Sequence, residues 1–228
     1  GNAELLVPQE ASPEAANALL KLLEEPPGRS RFILTSSEPG RLLPTILSRT
    51  VALHVAPLST DSIDIFLGEH TDADPETTKW ACKLSRGSIG RALGFLPDGE
   101  EEGPLESLRR QALTLIEVAV VQDPGQGYEL SLSYPPAGAR ALIPLCTFVE
   151  EWLRDLGAIV SGAGDQVFNF DKRSHLQELV ARTSIHGPEI VLALTEVEQA
   201  RELARGNVNP QLIVNGLVRN LRRRLIAT

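Results

Sequence analysis

At Pro57 the hydrophobic pattern of this chain changes period. Before it, short continuous apolar runs alternate with helical spacing. After it, every apolar stretch repeats at helical spacing, and Gly and Pro cut the chain into helix-length pieces. A chain of this kind folds as a short α/β segment followed by a longer all-helical part.

The first segment carries its own punctuation. Ser12-Pro13-Glu14 reads as a helix start, with a Ser cap, Pro at the first helical position and an acid in the first turn. The helix is predicted over 15–25, with Ala15, Ala18, Leu19, Leu22 and Leu23 on one side, and Pro26-Pro27-Gly28 ends it. A strand is predicted over 31–36, a short helix over 43–48 and a second strand over 51–55. Strand, helix, strand implies a parallel sheet. Two strands are too few to stand alone, so further strands are expected upstream of Gly1-Asn2.

The helical part divides further. Helices are predicted over 61–69, 75–85 and 88–96, a module of about forty residues that needs a neighbour to lean on. Residues 97–104 (PDGEEEGP) are charged, rich in Gly and Pro and without large apolar side chains, so a linker and domain boundary are expected there. Beyond it, helices are predicted over 105–121, 140–160, 172–182, 187–206 and from 209 onward, with an irregular loop over 123–138. Trp152, in a strongly apolar helix, is expected in the core. The predicted class is mostly α: a partial α/β domain at 1–56, a three-helix domain at 57–96, the linker, and a helical bundle at 105–228.

Charge and motifs narrow the function. The net charge of -8 does not attract nucleic acid overall. Arg219, Arg222, Arg223 and Arg224 form a local basic run, which at a helix end reads first as a favourable last turn. Cys82 and Cys146 stand apart in apolar helical settings and read as buried free thiols of a reducing compartment. The chain shows no signal peptide and no apolar run of membrane-spanning length, so a cytoplasmic protein with no membrane contact is expected. His54, His70, His175 and His186 have no metal-ligand spacing, and no metal or cofactor is expected. Neither a P-loop nor a GxSxG is present; Gly157 to Gly164 is Gly-rich but lacks the Lys that a P-loop needs. Glu24 and Glu25 read as a solvated helix end. Ser48-Arg49, after a short helix and before an apolar run, has two readings: a guanidinium offered to a neighbouring subunit's phosphate, or a surface Arg paired locally with a Glu.

Residues 10–27 (EASPEAANALLKLLEEPP) resemble the signature that follows the Walker B strand in bacterial clamp-loader subunits, AAA+ proteins of the DNA polymerase III holoenzyme. Phe32-Ile33-Leu34-Thr35-Ser36 resembles their sensor 1 strand, and Leu42 to Arg49 (LLPTILSR) the segment carrying their Ser-Arg-Cys motif. Gly87 to Leu93 (GSIGRAL) resembles the sensor 2 region. Residues 151–155 (EWLRD) and 207–213 (NVNPQLI) resemble their third, collar domain. The resemblance implies an AAA+ remnant, a lid and an oligomerising collar, in that order.

It also implies roles. Arg49, with Ser48, would be an arginine finger acting in trans on ATP bound by an adjacent subunit; the third motif position is Thr50. The Walker B acids would fall at Gly1 and Asn2, which carry no carboxylate, and the sensor 2 Arg would fall at Gly90, with Arg91 one residue late. One residue turns a helical side chain by about 100°. Both departures point to the delta-prime branch of the family, which looks like an ATPase and does not usually hydrolyse ATP. The implied partners are the gamma/tau and delta subunits and, indirectly, the sliding clamp and primed DNA; no polymerase or ATPase activity is expected of the chain itself. The alternatives are a fragment of an active gamma/tau-type ATPase and a clamp-loader-like scaffold.

Overall fold

The computed structural model describes residues 3–6, 20–26, 28, 32–36, 39–120, 124–183 and 185–226. The chain separates into two units, Gly1–Ala56 and Pro57–Thr228.

In the first unit, β1 (Ala3–Leu6) pairs in parallel with β2 (Phe32–Thr35), Leu5 facing Leu34 in register. Residues 20–24 are helical. This is the crossover element that a parallel pair requires. A short helix α1 (Pro44–Leu47) follows, opened by Pro at its first position and packed inward through Ile46, which is buried. The expected strand over 51–55 is not formed. Val51, Leu53 and Val55 are 98%, 87% and 82% exposed. Alternating β-branched residues make a strand only where a neighbouring strand takes up their backbone groups, and among the described residues none does. The sheet has instead a strand that the sequence reading missed, Ala3–Leu6, too short and too close to the first residue to show a period.

The second unit is helical throughout: α2 (Thr60–His70), α3 (Pro75–Leu84), α4 (Ile89–Phe95), α5 (Pro104–Val120), α6 (Pro124–Leu132), α7 (Leu142–Val160), α8 (Arg173–Thr183), α9 (Gly187–Arg205) and α10 (Pro210–Leu225). Side chains at the entries set several starts. Ser59 accepts from Ser62 N, Asp74 from the amides of Glu76 and Thr77, Ser88 from Arg91 N and Asn209 from Gln211 N. Helices α2, α3 and α4 pack on one another, α4 on α5, and α7 against α5, α8 and α9; α10 closes against α5, α6 and α9.

One apolar core runs through all of this, from Ile63 and Leu67 through Phe95, Ile116 and Trp152 to Leu221 and Leu225. It is continuous across residues 97–104. Within that loop Asp98 and Glu101 exchange backbone hydrogen bonds of 3.1 Å around Gly99, whose φ is +63°. Gly103 lies so close to the end of α4 that a Cβ there would meet Phe95 O at 2.5 Å. Residues 124–132, expected as loop, are helical. Gly127 in α6 lets Val218 of α10 approach to within 2.9 Å of where a Cβ would stand, a packing gain that overrides the poor helix propensity of two glycines.

Trp152 is buried and its indole N–H donates to Arg109 O at 2.9 Å. Around it lies a polar core that the sequence did not announce. Arg109, 1% exposed, donates to Asn169 Oδ1, to both oxygens of Glu106 and to Asp171. Buried Asp155 accepts from the amides of Phe168 and Asn169 and from the Asn169 side chain. Each polar group here is satisfied, as a buried network must be to hold one conformation. Burial lifts the Glu106 carboxyl above its usual range despite the Arg109 guanidinium.

Candidate functional site

The segment around Arg49 is built from the end of α1. Ser48 closes the helix, its Oγ donating to Thr45 O at 3.1 Å, and Thr50 Oγ1 donates back to Ile46 O at 3.1 Å. These turns hold the chain as it leaves the helix. Arg49 Nη1 then donates to Thr45 O at 3.0 Å and to Ser48 Oγ at 3.3 Å, while Nη2 reaches Glu24 Oε1 at 2.5 Å. The Arg49 side chain remains 37% exposed and that of Glu24 50% exposed. An Arg that is anchored by its own unit yet open to solvent can bind an external anion with its remaining donors. Arg49 does pair with a Glu, and its side chain stays accessible. Glu24, which the sequence reads as part of a solvated helix end, is that partner; the pairing is not legible in sequence because it spans 25 positions and neither residue marks the other.

The other sequence-selected positions fall elsewhere. Thr35 ends β2 and is exposed, as is Ser36 just beyond it. Gly1 and Asn2 lie outside the described residues. They precede β1, whereas ligands of parallel α/β sheets gather at the carboxyl ends of strands, here Leu6.

Gly90 and Arg91 show the effect of register. Gly90 is exposed on α4, and Arg91, one position on, turns inward. Its Nε donates to Leu84 O at 2.9 Å and its Nη2 to both oxygens of Glu151, at 2.9 and 2.8 Å. Glu151, on α7, is 2% exposed, and Arg86 also approaches it at 3.4 Å. The Arg91 guanidinium lies against the rings of both Phe95 and Phe148, 5.4 and 5.0 Å from their centroids. Burial lowers its pKa from the usual arginine value, Glu151 opposing the shift. Arg91 is therefore engaged in a clasp between α4 and α7.

The basic run on α10 is likewise internal business. Arg224 Nε donates to Glu196 Oε1 at 2.8 Å, Arg223 lies 3.8 Å from the same carboxylate, and Asn220 donates to Oε2. Glu196 is 4% exposed. Arg222 donates to the carbonyls of Val118 and Ala119 at the end of α5, which suits the negative end of that helix. Arg219 is exposed and makes no ion pair among the described residues, and one arginine is no nucleic-acid surface.

Cys82 and Cys146 are buried free thiols, and burial pushes the Cys146 thiol up to about 11. Among the described residues no group of His, Cys, Asp and Glu could hold a metal ion, and no helix is long and apolar enough to cross a membrane.

A family model described as DNA polymerase III, delta subunit, matches residues 7–59, which include Glu24 and Arg49. The chain is 41% identical over 81 residues to DNA polymerase III subunit delta' of Escherichia coli (strain K12), covering 36% of this chain and 24% of that protein. It is 36% identical over 84 residues to subunit tau of the same organism, covering 35% of this chain and 13% of tau. A longer alignment, 26% identical over 214 residues, covers 90% of this chain and 60% of subunit delta' of Bacillus subtilis (strain 168). The chain thus spans about a quarter or less of the two Escherichia coli relatives. It is similar to the delta'/tau/gamma group of bacterial DNA polymerase III subunits, and the matches are shared between delta' and tau.

Proposed function

We propose that this chain, similar as it is to the delta'/tau/gamma subunits of bacterial DNA polymerase III, is part of a clamp loader and works there in the manner of delta-prime. It assembles with gamma/tau and delta subunits and supplies Arg49 in trans to ATP held by its neighbour. Residues 1–56 are then the AAA+ remnant, 57–96 the lid and 105–228 the collar. ATP binding across such an assembly opens a sliding clamp and places it on primed DNA. The observation that carries the reading is Arg49 itself: an accessible guanidinium fixed by Thr45, Ser48 and Glu24 at the end of a short helix, inside the stretch that the family model matches.

Two further observations favour a subunit that does not hydrolyse ATP. Neither Gly1-Asn2 nor Leu6-Val7 at the carboxyl end of β1 offers a carboxylate to hold Mg²⁺. Arg91, beside the position where the family places a phosphate-reading arginine, is occupied by Glu151. The similarity to tau favours a second reading, a fragment of an ATPase-active gamma/tau-type subunit.

The test is Arg49→Ala in the full-length protein, assembled with gamma/tau and delta from the same source. DNA-stimulated ATPase of the complex should fall by tenfold or more, with the ~10³–10⁵ that a finger supplies where it has been measured as the ceiling, while sedimentation velocity shows an unchanged complex. Unaltered turnover would sink the finger assignment.

A further inference from the structure

We infer that Glu24 is a positioning residue for Arg49, setting the plane in which its guanidinium is presented; the inference rests on the finger reading above. Thr45 O and Ser48 Oγ both accept from the same nitrogen, Nη1. Two contacts to one atom fix where that atom sits and leave the planar group free to rotate about it. Glu24 Oε1 takes Nη2, and this third contact, on a second nitrogen, fixes the plane. Orientation matters because arginine recognises phosphate as a planar fork with parallel N–H bonds.

The donor inventory agrees. A guanidinium has five N–H donors, one on Nε and two on each terminal nitrogen. Within the chain, Nη1 gives two and Nη2 one. One donor on Nε and one on Nη2 remain, enough for a two-point contact with an external phosphate.

The location of Glu24 supports a role beyond solvation. It is the last residue of the helical stretch 20–24, just ahead of Pro26. A carboxylate in the last turn of a helix faces the negative end of the helix dipole and is locally unfavourable. Arg49 offsets that cost across 25 residues, so the pair locks the helix end to the segment leaving α1.

The closing experiment compares Glu24→Gln, Arg49→Ala and the double variant, each in the full-length protein assembled with gamma/tau and delta. Gln keeps the shape and an accepting oxygen but removes the charge that holds Nη2. The expected result for Glu24→Gln is a kcat for DNA-stimulated ATP hydrolysis lowered about tenfold, as for a misoriented catalytic group, with no rise in the KM for ATP. The double variant should match Arg49→Ala alone, because Glu24 acts only through the guanidinium. A Glu24→Gln complex with wild-type kcat, beside an impaired Arg49→Ala, overturns the inference and leaves the finger reading standing. An equal further loss when Glu24→Gln is added to Arg49→Ala overturns it too, since Glu24 would then act by another route. An inactive finger, with Arg49→Ala at wild-type rate, overturns both.

Discussion

Arg86 and Arg91 are five residues apart and share one carboxylate, yet they are held very differently. Arg91 is 20% exposed, donates from Nη2 to both oxygens of Glu151 and lies against two aromatic rings; Arg86 is 42% exposed, at 3.4 Å, and rests on the Phe168 ring. Removing Arg91 leaves a carboxylate of 2% exposure with one distant partner. Arg91→Ala should therefore lower stability by about 3 kcal/mol, as for a broken buried pair. Arg86→Ala should cost under about 1 kcal/mol, in the range of exposed pairs. Urea unfolding of the two variants checks this, and equal losses would show that Glu151 does not discriminate between them. At this scale the sequence is informative about types and poor about partners. Trp152 reads as buried from its apolar helix, and it is. That Arg91 turns inward follows from one residue of helical register. That Glu151, 60 positions away, receives it does not, and neither does the Glu24–Arg49 pair.

Among elements, the loop over 97–104 is where local character and environment part company. Its Pro, Gly and Glu content marks a turn, and a turn around Gly99 is present. How closely it is docked depends on residues from two helices, and no local pattern encodes that. Gly99 and Gly103 separate the two effects. Gly99 has φ +63° with nothing within 4 Å of a Cβ, so Gly99→Ala should cost about 1 kcal/mol of backbone strain. Gly103→Ala would drive a methyl to 2.5 Å from Phe95 O and 2.6 Å from Leu96 O, backbone atoms that cannot swing aside. It should cost about 2–3 kcal/mol, the upper range for overpacking. Thermal unfolding of the pair decides, and a milder Gly103→Ala would mean that the loop yields. The same limit on local reading explains the misjudged elements. Pro124 and two nearby glycines look like loop but begin a helix against Val218, and 51–55 alternates like a strand with no ladder to join among the described residues.

For the molecule as a whole, the period change at Pro57 divides the chain where its contacts divide, between Ala56 and Pro57. On the proposed reading, function at this scale belongs to an assembly. With no P-loop in the sequence and no carboxylate at the end of β1, the chain by itself should show no ATP turnover above a buffer control in the presence of Mg²⁺. Turnover that stays with the chain through purification, and survives removal of contaminants, would restore the ATPase reading. The shared core of the second unit has one more consequence. Ile63 and Phe95 lie on one side of the 97–104 loop, Ile116 and Leu221 on the other, and all belong to one cluster. A protease that clipped the exposed tip at Gly99 would sever the polymer and spare the body. The nicked protein would travel as a single particle through a sizing column and come apart into two bands only when denatured.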